Sequence, residues 1–245
     1  MRGGVDRRAR VVSALSVTEA NGTTLAHPTN HATVPGIATS IEHTIFVLSP
    51  ANLGGARGDI VLRPDGQSPL ACELRSGGVL LGELFSFVSS LYFRGKVAYA
   101  NAFARPPMNA PGALVITPGE GLLPLDERVT LDRLRTWATI PVDPRNNRFT
   151  DPLLRQAVAL VRAHGATTRF VLLGSVASKK YVDPLVRAFG YRLFFPPDFV
   201  GRGDMSRGGL MLRAASSGEE LTYARVEGTT LHGPRPARLT PRARS

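Results

Sequence analysis

Apolar runs alternate with helix-spaced apolar positions along the middle of the chain, and that alternation predicts a layered α/β fold. Residues 44–48 (TIFVL) are β-branched and apolar and stop at Ser49-Pro50, the mark of a strand. A loop carrying Gly54, Gly55 and Gly58 follows, then a short apolar stretch at 60–62. Leu81, Leu84, Phe85, Val88, Leu91, Tyr92, Val97, Ala98 and Phe103 recur at three- and four-residue steps. They predict one long amphipathic helix or two consecutive ones, with Gly95 the expected interruption. Residues 113–117 (ALVIT) read as a second strand closed by Pro118-Gly119, and Thr130 is placed to cap a helix running through Trp137.

The second half is more heavily punctuated. Asp151-Pro152 predicts a helix start and Gly165 its stop, with RQAVALVRAH between. Residues 170–173 are a strand, Asp183-Pro184 repeats the same cap chemistry, and Gly190 ends that helix. Residues 191–195 form another strand, and residues 210–214 with 221–226 predict a final antiparallel pair around Ser216-Ser217-Gly218. The expectation is a single three-layer domain over residues 41–232. A central, mostly parallel sheet lies between helices and a C-terminal β-hairpin closes the domain. Residues 1–40 lack periodicity and read as a disordered leader, and the proline-rich stretch 233–245 reads as a loose basic tail.

Composition narrows this picture rather than redrawing it. The 245 residues carry a formal charge of +11, but residues 1–40 hold +2 of it and the tail +4, leaving +5 for the 192 residues between. Of the 30 basic residues, 27 are Arg, which fits a compositional bias as well as an electrostatic footprint for nucleic acid. The single cysteine, Cys72, excludes an internal disulfide and a cysteine-based zinc cluster and suits a reducing cytoplasm. Without an apolar run of about 18 residues, no transmembrane helix is expected. The five histidines form no HxH or HExxH pair, so neither a metal nor a cofactor is expected.

Candidate chemistry collects at the predicted strand ends, where α/β proteins place anionic ligands. After the first strand, Ser49, Asn52 and Arg57 lie in a glycine-bearing loop where backbone N–H groups can approach a ligand and Asn52 can meet a base edge. Gly174 and Ser175 end a strand ahead of Lys179 and Lys180, two of only three lysines in the chain. Cations at a helix N-terminus oppose its dipole unless an anion sits nearby. Residues 199–209 set Arg202, Asp204 and Arg207 among glycines, a composition suited to a ligand-covering loop. Asp204 is the first candidate for a general base or a ribose-hydroxyl ligand, and Glu120 is a second acid/base candidate. The loops 49–59, 117–122, 174–180 and 199–209 are expected to share one sheet edge. Ser175 lacks the second glycine of a nucleophile elbow and has no evident His partner, so a serine hydrolase is not expected.

Two stretches resemble known families. From about 86 to 130, LYFRGKVAYANAF, a strand and TPGEGLLPLDERVTL look like the YaaA-like group, in which a helix with an LY…FRKA…YA pattern precedes a strand and an SAK-GL-P-D loop. Glu120 replaces that loop's basic or aromatic residue before the second glycine. Residues 170–180, FVLLGSVASKK, are similar to the LLWGS-A-KK segment of uracil-DNA glycosylases, without its Trp and without a downstream His-Pro-Ser motif. Both resemblances imply compact α/β folds tied to nucleic-acid handling. The expectation is a nucleic-acid- or nucleotide-associated protein, cleaving or exchanging an N-glycosidic bond if it is an enzyme. The alternatives are a non-catalytic DNA- or RNA-binding protein and a structural interaction subunit, with oligomeric state left open.

Overall fold

The computed structural model describes residues 40–164, 167–237 and 239. The expected leader, apart from residue 40, and the helix stop at Gly165 lie outside them, as do most of the tail residues. Eight strands and seven α-helices follow in order: β1 (His43–Leu48), α1 (Ala56–Leu62), α2 (Pro69–Ser76), β2 (Val79–Leu80), α3 (Leu81–Phe103), β3 (Ala113–Thr117), β4 (Gly121–Pro124) and β5 (Arg128–Val129). Then come α4 (Leu131–Ala138), α5 (Asn147–His164), β6 (Thr168–Leu173), α6 (Lys179–Phe189), β7 (Leu193–Phe195), α7 (Asp204–Ser217) and β8 (Ala224–Arg225).

The main sheet has the order β4-β3-β1-β6-β7-β8. Its four inner strands are parallel, and β4 and β8 close the two edges antiparallel to their neighbours. Parallel strands buried on both faces need apolar residues at every position. In β1, Phe46 and Leu48 pack with α1–α4 and α7, while Ile45 and Val47 pack with α5 and α6. Val171 and Leu173 of β6 join the first cluster and Phe170 and Leu172 the second. The sheet is therefore the middle of three layers. From β1 the chain crosses one way to β3, then back past β1 to β6 and β7. Right-handed crossovers then put the helices after β1 and after β6 on opposite faces, opening a crevice between those strands' carboxyl ends.

Several boundaries differ from the sequence reading. The helix expected at Asp151-Pro152 starts a turn earlier, because Asn146 accepts from the Arg148 N–H through its side chain and from Phe149 and Thr150 through its carbonyl. Likewise α6 starts at Lys179 rather than at Asp183-Pro184, since Ser178 Oγ accepts from the Lys180 N–H. Strand β7 is shortened because Gly190–Arg192 forms a 3-10 turn. Residues 210–214 are not a strand. They lie in α7, whose buried positions Arg207, Gly208, Met211 and Ala214 keep helical spacing, and Gly218 ends the helix in the left-handed region. The antiparallel pair at the C-terminal end is β7 with β8. The loop expected over 199–209 is accordingly helical from Asp204 onward.

Gly95 does not interrupt α3. The break is at Ser90, with φ 49° and ψ −127°. Gly95 instead sits where α3 crosses α7: a Cβ there would come 2.6 Å from the Gly208 carbonyl oxygen, and one on Gly208 would come 2.8 Å from Leu91 O. Only paired glycines let these backbones meet.

Candidate functional site

The carboxyl ends of β1, β3 and β6 open into a cleft of about 590 Å³. All four expected loops reach it. Ser49 to Gly54 form one wall, Pro118 and Ser175 come from the ends of β3 and β6, Lys180 from the first turn of α6, and Asp204 from that of α7. Ser89, Tyr92, Trp137 and Tyr181 add polar and aromatic surface. The strand register explains the floor. Leu48 pairs with Leu173, so Ser49 and Gly174 come next, and a Cβ on Gly174 would lie 2.9 Å from Ser49 Cβ. Gly174 serves the close approach of the strand ends.

The break in α3 lies beside the cleft. A serine at φ 49° holds strained backbone, of the kind that collects at functional sites. Arg57 Nη1 donates to the Phe87 carbonyl at 3.2 Å, serving the end of the first helical segment. Ser90→Gly should raise stability by about 1 kcal/mol, measured by urea unfolding, since glycine occupies this region without steric cost.

Beneath the cleft, the second half of α3 and the start of α7 bury two cations. Lys96 is fully buried, and its Nζ donates to Ser49 O and Ser49 Oγ, both at 2.8 Å. The ammonium lies 4.0 Å from the Tyr92 ring centroid. Burial drags the Lys96 pKa down to about 7; Asp204 opposes this and Arg207 adds to it. Arg207, also buried, donates from Nε to Phe199 O and from Nη1 to Asp204 Oδ1 at 3.1 Å. The Tyr92 hydroxyl is buried without a hydrogen-bond partner. Burial pushes its pKa up to about 12; Arg207 and Ser49 pull down and Asp204 pushes up, but no group meets the oxygen in bonding geometry. A buried hydroxyl without a partner is rare in folded proteins and calls for an explanation.

Of the residues singled out from the sequence, Ser49, Asn52, Ser175, Lys180 and Asp204 line the cleft, and Gly174 supports its floor. Asn52 Oδ1 accepts from the Gly54 N–H at 3.1 Å, which fixes the side chain and aims its amide donor elsewhere. The Asp204 side chain is 65% exposed despite its pairing with Arg207. The other candidates are not brought into this lining. Lys179 is exposed on the first turn of α6. Arg202 donates to Asp198 O, Ser206 Oγ and Ala237 O. Glu120 is clasped by Arg133 and accepts from Trp137 Nε1 at 2.8 Å, and its carboxyl is held below its usual range chiefly by Arg133. It faces an adjoining depression of about 460 Å³ with Arg148, Asp151 and Arg155, which shares Trp137 and Ile140 with the cleft.

Tyr92, Lys96 and Tyr181 were not selected by sequence reasoning. Burial raises the Tyr181 pKa, with the Asp204 charge adding to it. Lys96 is fully buried, whereas Arg94, two residues earlier on the same helix, is exposed. The signal at Lys96 was type: one of three lysines among 30 basic residues, one turn after a tyrosine. Among the described residues no group of three or more His, Cys, Asp or Glu is placed to hold a metal ion, and no helix is long and apolar enough to cross a membrane. Compared with known proteins, the chain matches no family model, no curated protein and no solved structure.

Proposed function

We propose that the cleft binds a nucleotide, or a nucleoside unit exposed on nucleic acid, and that its reaction is cleavage or exchange of the N-glycosidic bond. One observation carries the reading: aromatic surface, a base-edge donor, a cation and an exposed carboxylate share one cleft at the carboxyl ends of parallel strands. Tyr181, partly exposed, offers a face to a base, and the Asn52 amide a donor to its edge. Lys180 and the first turn of α6 suit a phosphate, while Asp204 suits a sugar hydroxyl or the attacking group. The volume lies within the range of small-molecule sites. The resemblances to the YaaA-like group and to uracil-DNA glycosylases point the same way.

The test is release of free base, followed by chromatography, from nucleosides, nucleotides and oligonucleotides carrying damaged bases. Release should fall about 100-fold in Asp204→Ala, the usual size of a lost general base. If no base is released from any of these, or if Asp204→Ala matches the wild type, the catalytic reading is wrong. Binding without release would instead favour the non-catalytic DNA- or RNA-binding role.

A further inference from the structure

A lysine buried without an ion-pair partner is expensive, and the fold keeps one directly beneath the cleft. Among the described residues no carboxylate forms an ion pair with Lys96. Its Nζ meets, among the described residues, only the carbonyl and hydroxyl of Ser49 and the faces of Tyr92 and Phe93. An apolar residue in its place would avoid the desolvation cost, so packing alone does not account for it. Ser49 connects this buried amine to the cleft: it borders the cleft and holds Lys96 through its Oγ at 2.8 Å. Tyr92 borders the same cleft, and its hydroxyl, buried just beneath that surface, has no partner.

We propose that Ser49 is a nucleophile, with Lys96 as its base and the Tyr92 hydroxyl as the donor to the developing oxyanion, so that the cleft can carry out acyl transfer on an ester or amide. Nucleophile and base lie within hydrogen-bond reach, as activation requires. In the neutral amine, one N–H donates to Ser49 O while the lone pair takes the Oγ proton. Oγ bonds the carbonyl carbon, the π pair moves to oxygen, and the Tyr92 hydroxyl donates to that oxygen. Collapse of the adduct expels the leaving group, which takes the proton back from Lys96 and leaves an acyl ester on Ser49. Water then attacks this ester. Its proton passes to Lys96 and then to Ser49 Oγ as the carboxylic acid leaves. The groups that face Lys96 set its titration: Ser49 from the end of β1, Tyr92 and Phe93 from α3, and Asp204 and Arg207 from α7. An amine with a pKa near 7 is free to accept a proton at neutral pH. The inference goes beyond the nucleotide reading and stands whichever ligand fills the cleft.

A fluorophosphonate probe tests it on the full chain, with adduct formation followed by intact mass and the modified residue found by peptide mapping. Ser49 should be labelled, at a rate that rises with pH through an inflection near 7. Lys96→Met should slow labelling roughly 100-fold and remove that inflection, whereas Tyr92→Phe should slow it about tenfold with the inflection kept. Ser49→Ala should carry no adduct at this site. The wild-type pH profile needs no variant, so it decides even if a substituted protein fails to fold. A folded wild type with no Ser49 adduct, or labelling that is flat between pH 5 and 9, overturns the proposal, as does an unchanged rate in folded Lys96→Met. Failure here leaves base release untouched, and failure to release base leaves Ser49 labelling untouched.

Discussion

A Gly208→Val protein should give little folded material at 37 °C, and Gly208→Ala should already melt well below the wild type. The Cβ of either residue would lie 2.8 Å from Leu91 O and from Tyr92 Cα, both backbone atoms of α3. A rotamer change cannot relieve such a contact, so the helices must separate. Forced overpacking costs about 1–3 kcal/mol and sometimes more, against a total stability of about 5–15 kcal/mol. Valine adds branching beside the clash, and a loss of at least about 3 kcal/mol is expected, read by circular dichroism and urea unfolding. The same crossing sets Tyr92 and Lys96 of α3 beside Asp204 and Arg207 of α7. A milder separation in Gly208→Ala should therefore weaken whatever the cleft binds. A valine variant that melts within a degree or two of the wild type would contradict the described crossing.

The second large effect concerns pH. In the folded protein the Lys96 pKa falls from its ordinary 10.5 to about 7, through burial. Below pH 7 both folded and unfolded chains carry the proton, and the fold bears the full cost of a buried ammonium. Between pH 7 and 10.5 the unfolded chain binds a proton that the folded chain does not, so wild-type stability gains with rising pH. Lys96→Met removes this titration. Relative to the wild type, the variant should be most stable below pH 7 and lose up to about 1.4 kcal/mol per pH unit above it. Loss of the two hydrogen bonds to Ser49 shifts this difference by a constant and leaves its slope intact. Paired denaturant titrations from pH 6 to 10 check it, and a flat difference would show that Lys96 does not titrate as its burial requires.

Long apolar runs made the layers legible. The segments 44–48, 113–117 and 170–173 cannot face water on either side, and they became inner strands. Local chemistry misled where two signals competed. Asp151-Pro152 and Asp183-Pro184 look like helix starts, but Asn146 and Ser178 lie earlier and capture the first N–H groups. Residues 210–214 read as a strand because three apolar residues, Leu210, Met211 and Leu212, stand together. Their burial is decided by α3, which accepts a helical face with Gly208 at its centre. The short edge strand β4 carries Pro124 and too few residues to announce itself. For the site, strand ends located the cleft, because topology fixes which loops meet. What no local pattern could show is depth: Arg207 reads as part of a ligand-covering loop, and only the packing of α7 on α3 buries it together with Lys96.

The cleft as ligand site has a direct reporter, since Trp137 is the only tryptophan in the chain and borders the cleft. Titrating the protein with nucleoside 5′-monophosphates while following tryptophan emission tests the central claim. The account predicts a saturable change, weakened about tenfold or more by Lys180→Ala, the size of one lost charge-assisted contact. No saturable change at millimolar ligand, or the same affinity in that variant, would contradict it.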